Sequence, residues 1–195
     1  MEHREYFNKL ADKWDEICFH DPAKLKAIVK MAGISEGQKV LDVGTGTGVM
    51  LPFIHELVGE KGEIAAIDIA EKMLEVAKQK YHFDNIRFIL GDIATTLLPE
   101  NYYDLIMCYS VFPHFKDKPG IVALMARLLK PKGRLVIAHS QSREAINSLH
   151  AKLDVVRKDQ LPEAATIEEY MKQAQLVPVL TEDNHEMFVV IGQKE

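Results

Sequence analysis

The feature that most constrains this chain is Val40-Leu41-Asp42-Val43-Gly44-Thr45-Gly46-Thr47-Gly48. An apolar run stops at three alternating glycines, and a helix-forming stretch over residues 49–58 follows at once. One glycine would serve a tight strand-to-helix turn. Three let a ligand approach the backbone where a Cβ would block it. A phosphate loop of the Walker type needs Gly-Lys-Ser/Thr, and here Gly48 is followed by Val49-Met50. A dinucleotide fingerprint, GxGxxG, wants glycine at position 49, which is Val49. Asp68, at the end of the next apolar run, suits a ribose in either case. The loop alone leaves a dinucleotide and another adenosine-containing ligand both open.

The rest of the chain gives the loop its setting. Short runs of Val, Ile and Leu at residues 39–43, 63–68, 86–90, 103–109 and 134–139 alternate with helical stretches. That pattern predicts a parallel sheet covered on both faces. Residues 1–32 read as two helices, the second opened by the cap Asp21 and by Pro22. Beyond the last parallel run, helices are expected over residues 142–158 and 167–174. Strands at 176–181 and 186–191, joined by Glu182-Asp183-Asn184-His185, then form a hairpin. The expected fold class is α/β, a Rossmann-like seven-stranded sheet of five parallel strands plus a C-terminal antiparallel hairpin, sandwiched by helices.

At 195 residues and 47% hydrophobic, the chain suits one domain with its own core. The 24 basic against 29 acidic residues give a net charge of −5, which argues against a phosphate-coating, nucleic-acid-binding role. Cys18 and Cys108 build neither a disulfide framework nor a four-cysteine zinc site. No apolar run reaches membrane-spanning length, and the opening residues are too polar for a signal peptide. These readings lead to the expectation of a soluble, cytoplasmic protein with no membrane partner.

Three further stretches narrow the ligand. Phe88-Ile89-Leu90-Gly91-Asp92-Ile93 puts a carboxylate just past the third run, where it can accept from an adenine amino group. Asp104-Leu105-Ile106-Met107-Cys108-Tyr109-Ser110 ends a strand in polar and aromatic groups, and Leu128-Leu129-Lys130-Pro131-Lys132-Gly133-Arg134-Leu135-Val136-Ile137 joins a helix end to a strand. With these in place, residues 39–140 resemble the class I S-adenosylmethionine (SAM)-dependent methyltransferases, especially their small-molecule branch. The resemblance implies a single domain: a SAM-binding core at 39–140, an N-terminal helical lid at 1–32, and C-terminal helices and hairpin at 141–195. It implies that Gly44, Thr45, Gly46 and Gly48 border the amino-acid end of SAM and that Asp42 supports it. Asp68 would take the ribose hydroxyls, Ile69 and Met73 would flank the adenine, Asp92 and Ile93 would fix its edge, and Tyr109 would lie near the methionine. The implied reaction is methyl transfer to a small-molecule acceptor, leaving S-adenosylhomocysteine. A non-catalytic SAM-binding module and an NAD-dependent oxidoreductase are the competing readings.

Methyl transfer from a sulfonium needs alignment and, for some acceptors, a proton acceptor. His114, in Tyr109-Ser110-Val111-Phe112-Pro113-His114-Phe115, and His139, ending the fifth parallel run, are the two candidates for that role. The first of these segments departs from the Asn/Asp-Pro-Pro-Tyr and Pro-Cys signatures of base-modifying enzymes. Cys108 reads as core. His139-Ser140 stands where magnesium-dependent O-methyltransferases carry a metal-binding Asp, which argues against that subgroup. On the helix that follows, Ile146, Leu149, Leu153 and Val156 form an apolar seam, and Arg143, Asn147 and His150 flank it as substrate-pocket candidates. Trp14, with Tyr6, Phe7 and Phe19, is expected to close over cofactor or substrate. The histidines show no paired spacing such as HxxxH, so no metal is expected.

Overall fold

A computed structural model describes residues 3–195. Seven strands form one sheet: β1 (Lys39–Val43), β2 (Glu63–Asp68), β3 (Ile86–Leu90), β4 (Tyr103–Tyr109), β5 (Leu129–His139), β6 (Leu176–Asp183) and β7 (Phe188–Lys194). Their order is β3-β2-β1-β4-β5-β7-β6. The first five strands run parallel and β7 pairs antiparallel with both β5 and β6, as the sequence predicts. The order reverses between β1 and β4, so a crevice opens there at the carboxyl ends of the strands.

Alternation along the strands assigns the two cores. Leu41 and Val43 point to one face and Val40 to the other. Under Val40, Ala66 and Leu105 lie α3 (Pro22–Ala32) and α4 (Leu51–Val58), contributing Leu25, Ile28, Leu51 and Ile54. Under Leu41 and Ile106 lie α6 (Lys118–Leu128) and α8 (Ala164–Gln173), contributing Val122, Met125 and Ile167. Helix α5 (Glu71–Lys80) follows β2. Asp21 caps α3 by accepting from Ala23 N at 2.9 Å, and Gly33, at φ +71°, ends it. Among the described residues no helix is long and apolar enough to cross a membrane.

Three expectations need correction. The N-terminal region is not two helices: α1 (His3–Leu10) turns through a 3-10 segment (Ala11–Lys13) into the short α2 (Trp14–Ile17) before α3 begins. The turn lets Ala11 pack on Ala70 and Met73. Because α3 is built into the core through Leu25, Ile28 and Val29, only the stretch before it packs outside, against α5 and the mouth of the crevice. Helix α7 (Arg143–His150) ends eight residues short of the expected 158. Its predicted seam is only half buried: Ile146 and Val156 lie in the core, whereas Leu149 is 47% and Leu153 36% exposed. Asn147 and His150 instead bind the backbone of the stretch that follows. Finally, β5 starts at Leu129 and not at residue 134, with Pro131, Lys132 and Gly133 lying where its register with β4 shifts.

Candidate active site

The crevice at the switch between β1 and β4 is a cavity of about 1020 Å³. That is at the upper end of the range for small-molecule and cofactor sites. Asp42 ends its floor. Its carboxylate is buried and accepts from Thr45 Oγ1 at 2.6 Å. Burial pushes the Asp42 pKa up to about 7; the Thr45 bond opposes the rise and the nearby Asp68 carboxylate adds to it. Burial likewise raises Asp68, against hydrogen bonds from the backbone. Asp68 Oδ2 accepts from Gly46 N at 2.8 Å and Oδ1 from Ala70 N at 2.8 Å. The glycine loop and the end of β2 are thus held together by one carboxylate.

Two of the glycines have distinct reasons. Gly44 has φ +67°, and a Cβ there would lie 2.3 Å from Val111 Cγ2. Gly46 has φ +55°, but a Cβ on it would meet nothing within 4 Å because it would project into open space. The first is demanded by packing, the second leaves space for a ligand. Opposite the loop, Ser110 sits at φ +55°, a left-handed backbone that serine rarely adopts, where β4 turns into the Phe112–His114 3-10 segment.

Most of the residues expected to hold a cofactor line this cavity: Asp42, Gly44, Thr45 and Gly46 on the loop, Asp68, Ile69 and Met73 after β2, Asp92 and Ile93 after β3, and Tyr109 on β4. Gly48 does not; it backs onto Leu51 and Tyr81. Asp92 is exposed and accepts from Ala94 N at 2.9 Å. Trp14 and His114 also line the cavity.

The remaining expectations are corrected by burial and bonding. His139 is 1% exposed, does not line the cavity, and neither ring nitrogen has a partner. Burial depresses its pKa to about 3, with smaller contributions from His114, His150 and His20. A proton acceptor must reach its substrate, and His139 lies behind the wall. Asn147 is outside the cavity because both ends of its amide hold Leu161, donating to its carbonyl at 3.0 Å and accepting from its N–H at 2.8 Å. His150 Nδ1 lies 2.6 Å from the Asp159 carbonyl oxygen, and Arg143 faces Glu144 and Asp183; neither reaches the cavity.

His20, which lines the cavity, and Asp15, beside it, were not singled out from sequence. His20 Nδ1 lies 2.7 Å from the Tyr109 hydroxyl, which lies 2.7 Å from Ser140 Oγ. Burial lowers the His20 pKa, with Asp15 opposing. Asp15 joins the N-terminal segment to the glycine loop and α5, accepting from Thr47 Oγ1 and from Lys80 Nζ, both at 2.6 Å. Phe7 packs edge-on against Trp14 and His114, with centroids 5.5 and 5.3 Å apart. The His20–Tyr109 pair is separated by 89 residues. No local spacing announces such a contact, although the Asp21-Pro22 cap does fix where the chain turns beside His20.

A methyltransferase-domain family model matches residues 34–187. The chain is similar to curated ubiquinone/menaquinone biosynthesis C-methyltransferases. It is 33% identical over 113 residues to that of Shewanella piezotolerans, covering 56% of this chain and 45% of that protein. Against that of Francisella philomiragia it is 33% identical over 141 residues, covering 67% and 56%. The chain therefore spans about half the length of the curated relatives it matches. Among solved structures, a SAM-dependent methyltransferase from Aquifex aeolicus aligns over 100% of both chains with TM-score 0.75 and 23% identity. The phosphoethanolamine N-methyltransferase 2 of Haemonchus contortus, solved with phosphomonomethylethanolamine and S-adenosylhomocysteine, aligns over 97% of this chain and 58% of that one, with TM-score 0.79 and 18% identity. At those identities the likeness speaks to the fold.

Proposed function

The chain belongs to the methyltransferase-domain family, and on that premise we propose that it transfers a methyl group from SAM to a small-molecule acceptor, releasing S-adenosylhomocysteine. The observation that carries this reading is the pair of buried carboxylates, Asp42 and Asp68, beneath the glycine loop. Asp68 suits the ribose of either cofactor, whereas an ionised Asp42 opposes a dinucleotide, whose diphosphate would bring two negative charges to that loop. The Asp42 charge complements SAM, which carries a sulfonium and an ammonium.

In this reading Gly44, Thr45 and Gly46 border the amino-acid end, Asp68 takes the ribose, and Ile69, Met73, Asp92 and Ile93 surround the adenine. The acceptor occupies the space between Phe7, Trp14, His20, Tyr109 and His114. Its lone pair forms the bond to the methyl carbon, and the carbon–sulfur bond pair returns to sulfur. Burial lowers the His20 pKa and so favours its neutral form. In the tautomer that donates Nδ1–H to the Tyr109 oxygen, with Tyr109 donating to Ser140, Nε2 holds a lone pair for the acceptor's proton.

A screen of small hydroxyl, thiol, amine and carbon-acid acceptors with labelled SAM tests the activity, and His20→Phe tests the proton acceptor. The variant is expected to lose at least about a hundredfold in kcat with SAM affinity unchanged. Unchanged kcat in His20→Phe would remove His20 from the reaction. Absence of transfer to every acceptor class by a protein that binds SAM would favour the non-catalytic module.

A further inference from the structure

At the lid end of the cavity, away from the glycine loop, two histidines and a carboxylate converge from three stretches of chain. His3 Nε2 lies 2.6 Å, and His114 Nδ1 2.7 Å, from the same oxygen, Asp159 Oδ2. All three donor atoms fall within 4.8 Å of one another. The side chains of His3, His114 and Asp159 are only 24%, 16% and 13% exposed. The His3–Asp159 contact spans 156 residues and the His114–Asp159 contact 45. Helix α1, the 3-10 turn after β4 and the irregular stretch between α7 and α8 must each be placed to make it.

One histidine would suffice to tie that stretch to the sheet. Two imidazoles converging on one carboxylate oxygen are the donor set of two-histidine, one-carboxylate metal sites, which leave coordination positions open. A tetrahedral ion with bonds of about 2.0–2.1 Å holds its donors about 3.4 Å apart, so the present separations must open by about 0.7 Å. His3 rides on a short outer helix and Asp159 on an irregular stretch, so the opening leaves the sheet register alone. The His150 ring, on the Asp159 carbonyl oxygen at 2.6 Å, braces the carboxylate-bearing residue from behind.

We infer that His3, His114 and Asp159 form a binding site for a divalent transition-metal ion of the zinc class, with an open position facing the cavity that His3 and His114 line. Lys116, Lys118, Arg157 and Lys158 line the adjoining cavity of about 540 Å³. Asp154 pairs with Arg157 there, and the three lysines leave the rim net basic, which favours an anionic oxygen or sulfur donor as the ion's further ligand. The ion site stands apart from methyl transfer, whereas its role toward an acceptor rests on the proposed function. There the acceptor's hydroxyl or thiol binds the ion and gives its proton to His20. Its lone pair then forms the bond to the methyl carbon, and the carbon–sulfur pair returns to sulfur.

Chelator-treated, tag-free full-length protein titrated with Co²⁺, followed by visible absorption and equilibrium dialysis, and then competed with Zn²⁺, tests the site. One equivalent with the bands of tetrahedral Co²⁺, displaced by Zn²⁺, is expected. Affinity should fall at least about tenfold in His3→Ala, His114→Ala and Asp159→Ala, and stay unchanged in His185→Ala, which removes an exposed histidine. Asp159→Asn, which keeps the side chain's shape, gives the same reading should the alanine variant fail to fold. No binding, or binding that survives Asp159→Asn and His114→Ala, overturns the site. Titration of the same metal-free protein with SAM separates failure of the ion site from failure of the methyltransferase reading.

Discussion

Asp42 and His139 are both buried ionisable groups, and burial pushes each toward its uncharged form. For Asp42, held near 7, a cationic ligand favours the ionised carboxylate. SAM affinity is therefore expected to rise by up to about tenfold from pH 6 to pH 8, and to lose that dependence in Asp42→Asn. Calorimetry across that range checks it, and an equal slope in both proteins would show that Asp42 does not face the cofactor. His139 has the opposite linkage. Its folded pKa, about 3, lies below its unfolded value near 6.5, so the stability it contributes is full above pH 6.5 and is lost as the pH falls toward 3. His139→Leu also removes two unpartnered buried nitrogens. It should be more resistant to acid by about 2 kcal/mol at pH 5 relative to its neutral-pH difference from wild type, with kcat/KM retained. Urea unfolding at pH 5 and 7 measures the first, and a loss of kcat/KM would restore His139 to the reaction. Sequence position identified His139 as a strand-end histidine, yet whether such a side chain faces the crevice or the core depends on the hairpin beside it, where Phe188 packs 6.5 Å from its ring.

The elements were legible where the hydrophobic pattern and the local stop signals agree. β1 through β4 and the Asp21-capped α3 follow from the sequence, because apolar runs end at glycines, acids or caps that no tertiary contact needs to override. The pattern misled where a long-range bond wins. The 3.6-residue seam continues past His150, but Asn147 and His150 satisfy the backbone at Leu161 and Asp159 and stop α7. The N-terminal element is likewise defined by what it docks on. Arg4 and Asn8 bind Glu71, Asn8 Oδ1 also accepts from Lys72 N, and Asp15 joins Thr47 to Lys80. Single exposed pairs of this kind are worth about 1 kcal/mol or less, so the segment is held by their number together with the Phe7–Trp14 packing. Deleting residues 1–20 while keeping α3 is expected to leave a cooperatively folded sheet, by circular dichroism and thermal melting, and to weaken SAM binding at least about tenfold. Unchanged affinity and turnover in the truncated protein would refute the lid.

For the whole molecule, the sheet order puts its reversal between β1 and β4, and every group in the proposed cofactor site hangs on the strand ends around it. That half of the site was legible because glycine spacing and strand-end acids are local signals. Of the proposed acceptor half, His114 and Trp14 were legible as candidates. The His20–Tyr109 and His3–Asp159–His114 contacts were not, because they form only once distant stretches of the chain fold together over the sheet. The acidic, glycine-floored crevice is proposed to take SAM. Titration calorimetry of the full chain with SAM, S-adenosylhomocysteine and NAD, repeated on Asp68→Ala, tests it most directly. One equivalent of SAM should bind the wild type, with at least about a tenfold loss in Asp68→Ala and no heat from NAD. Binding of NAD in preference to SAM, or SAM binding indifferent to Asp68, would contradict it.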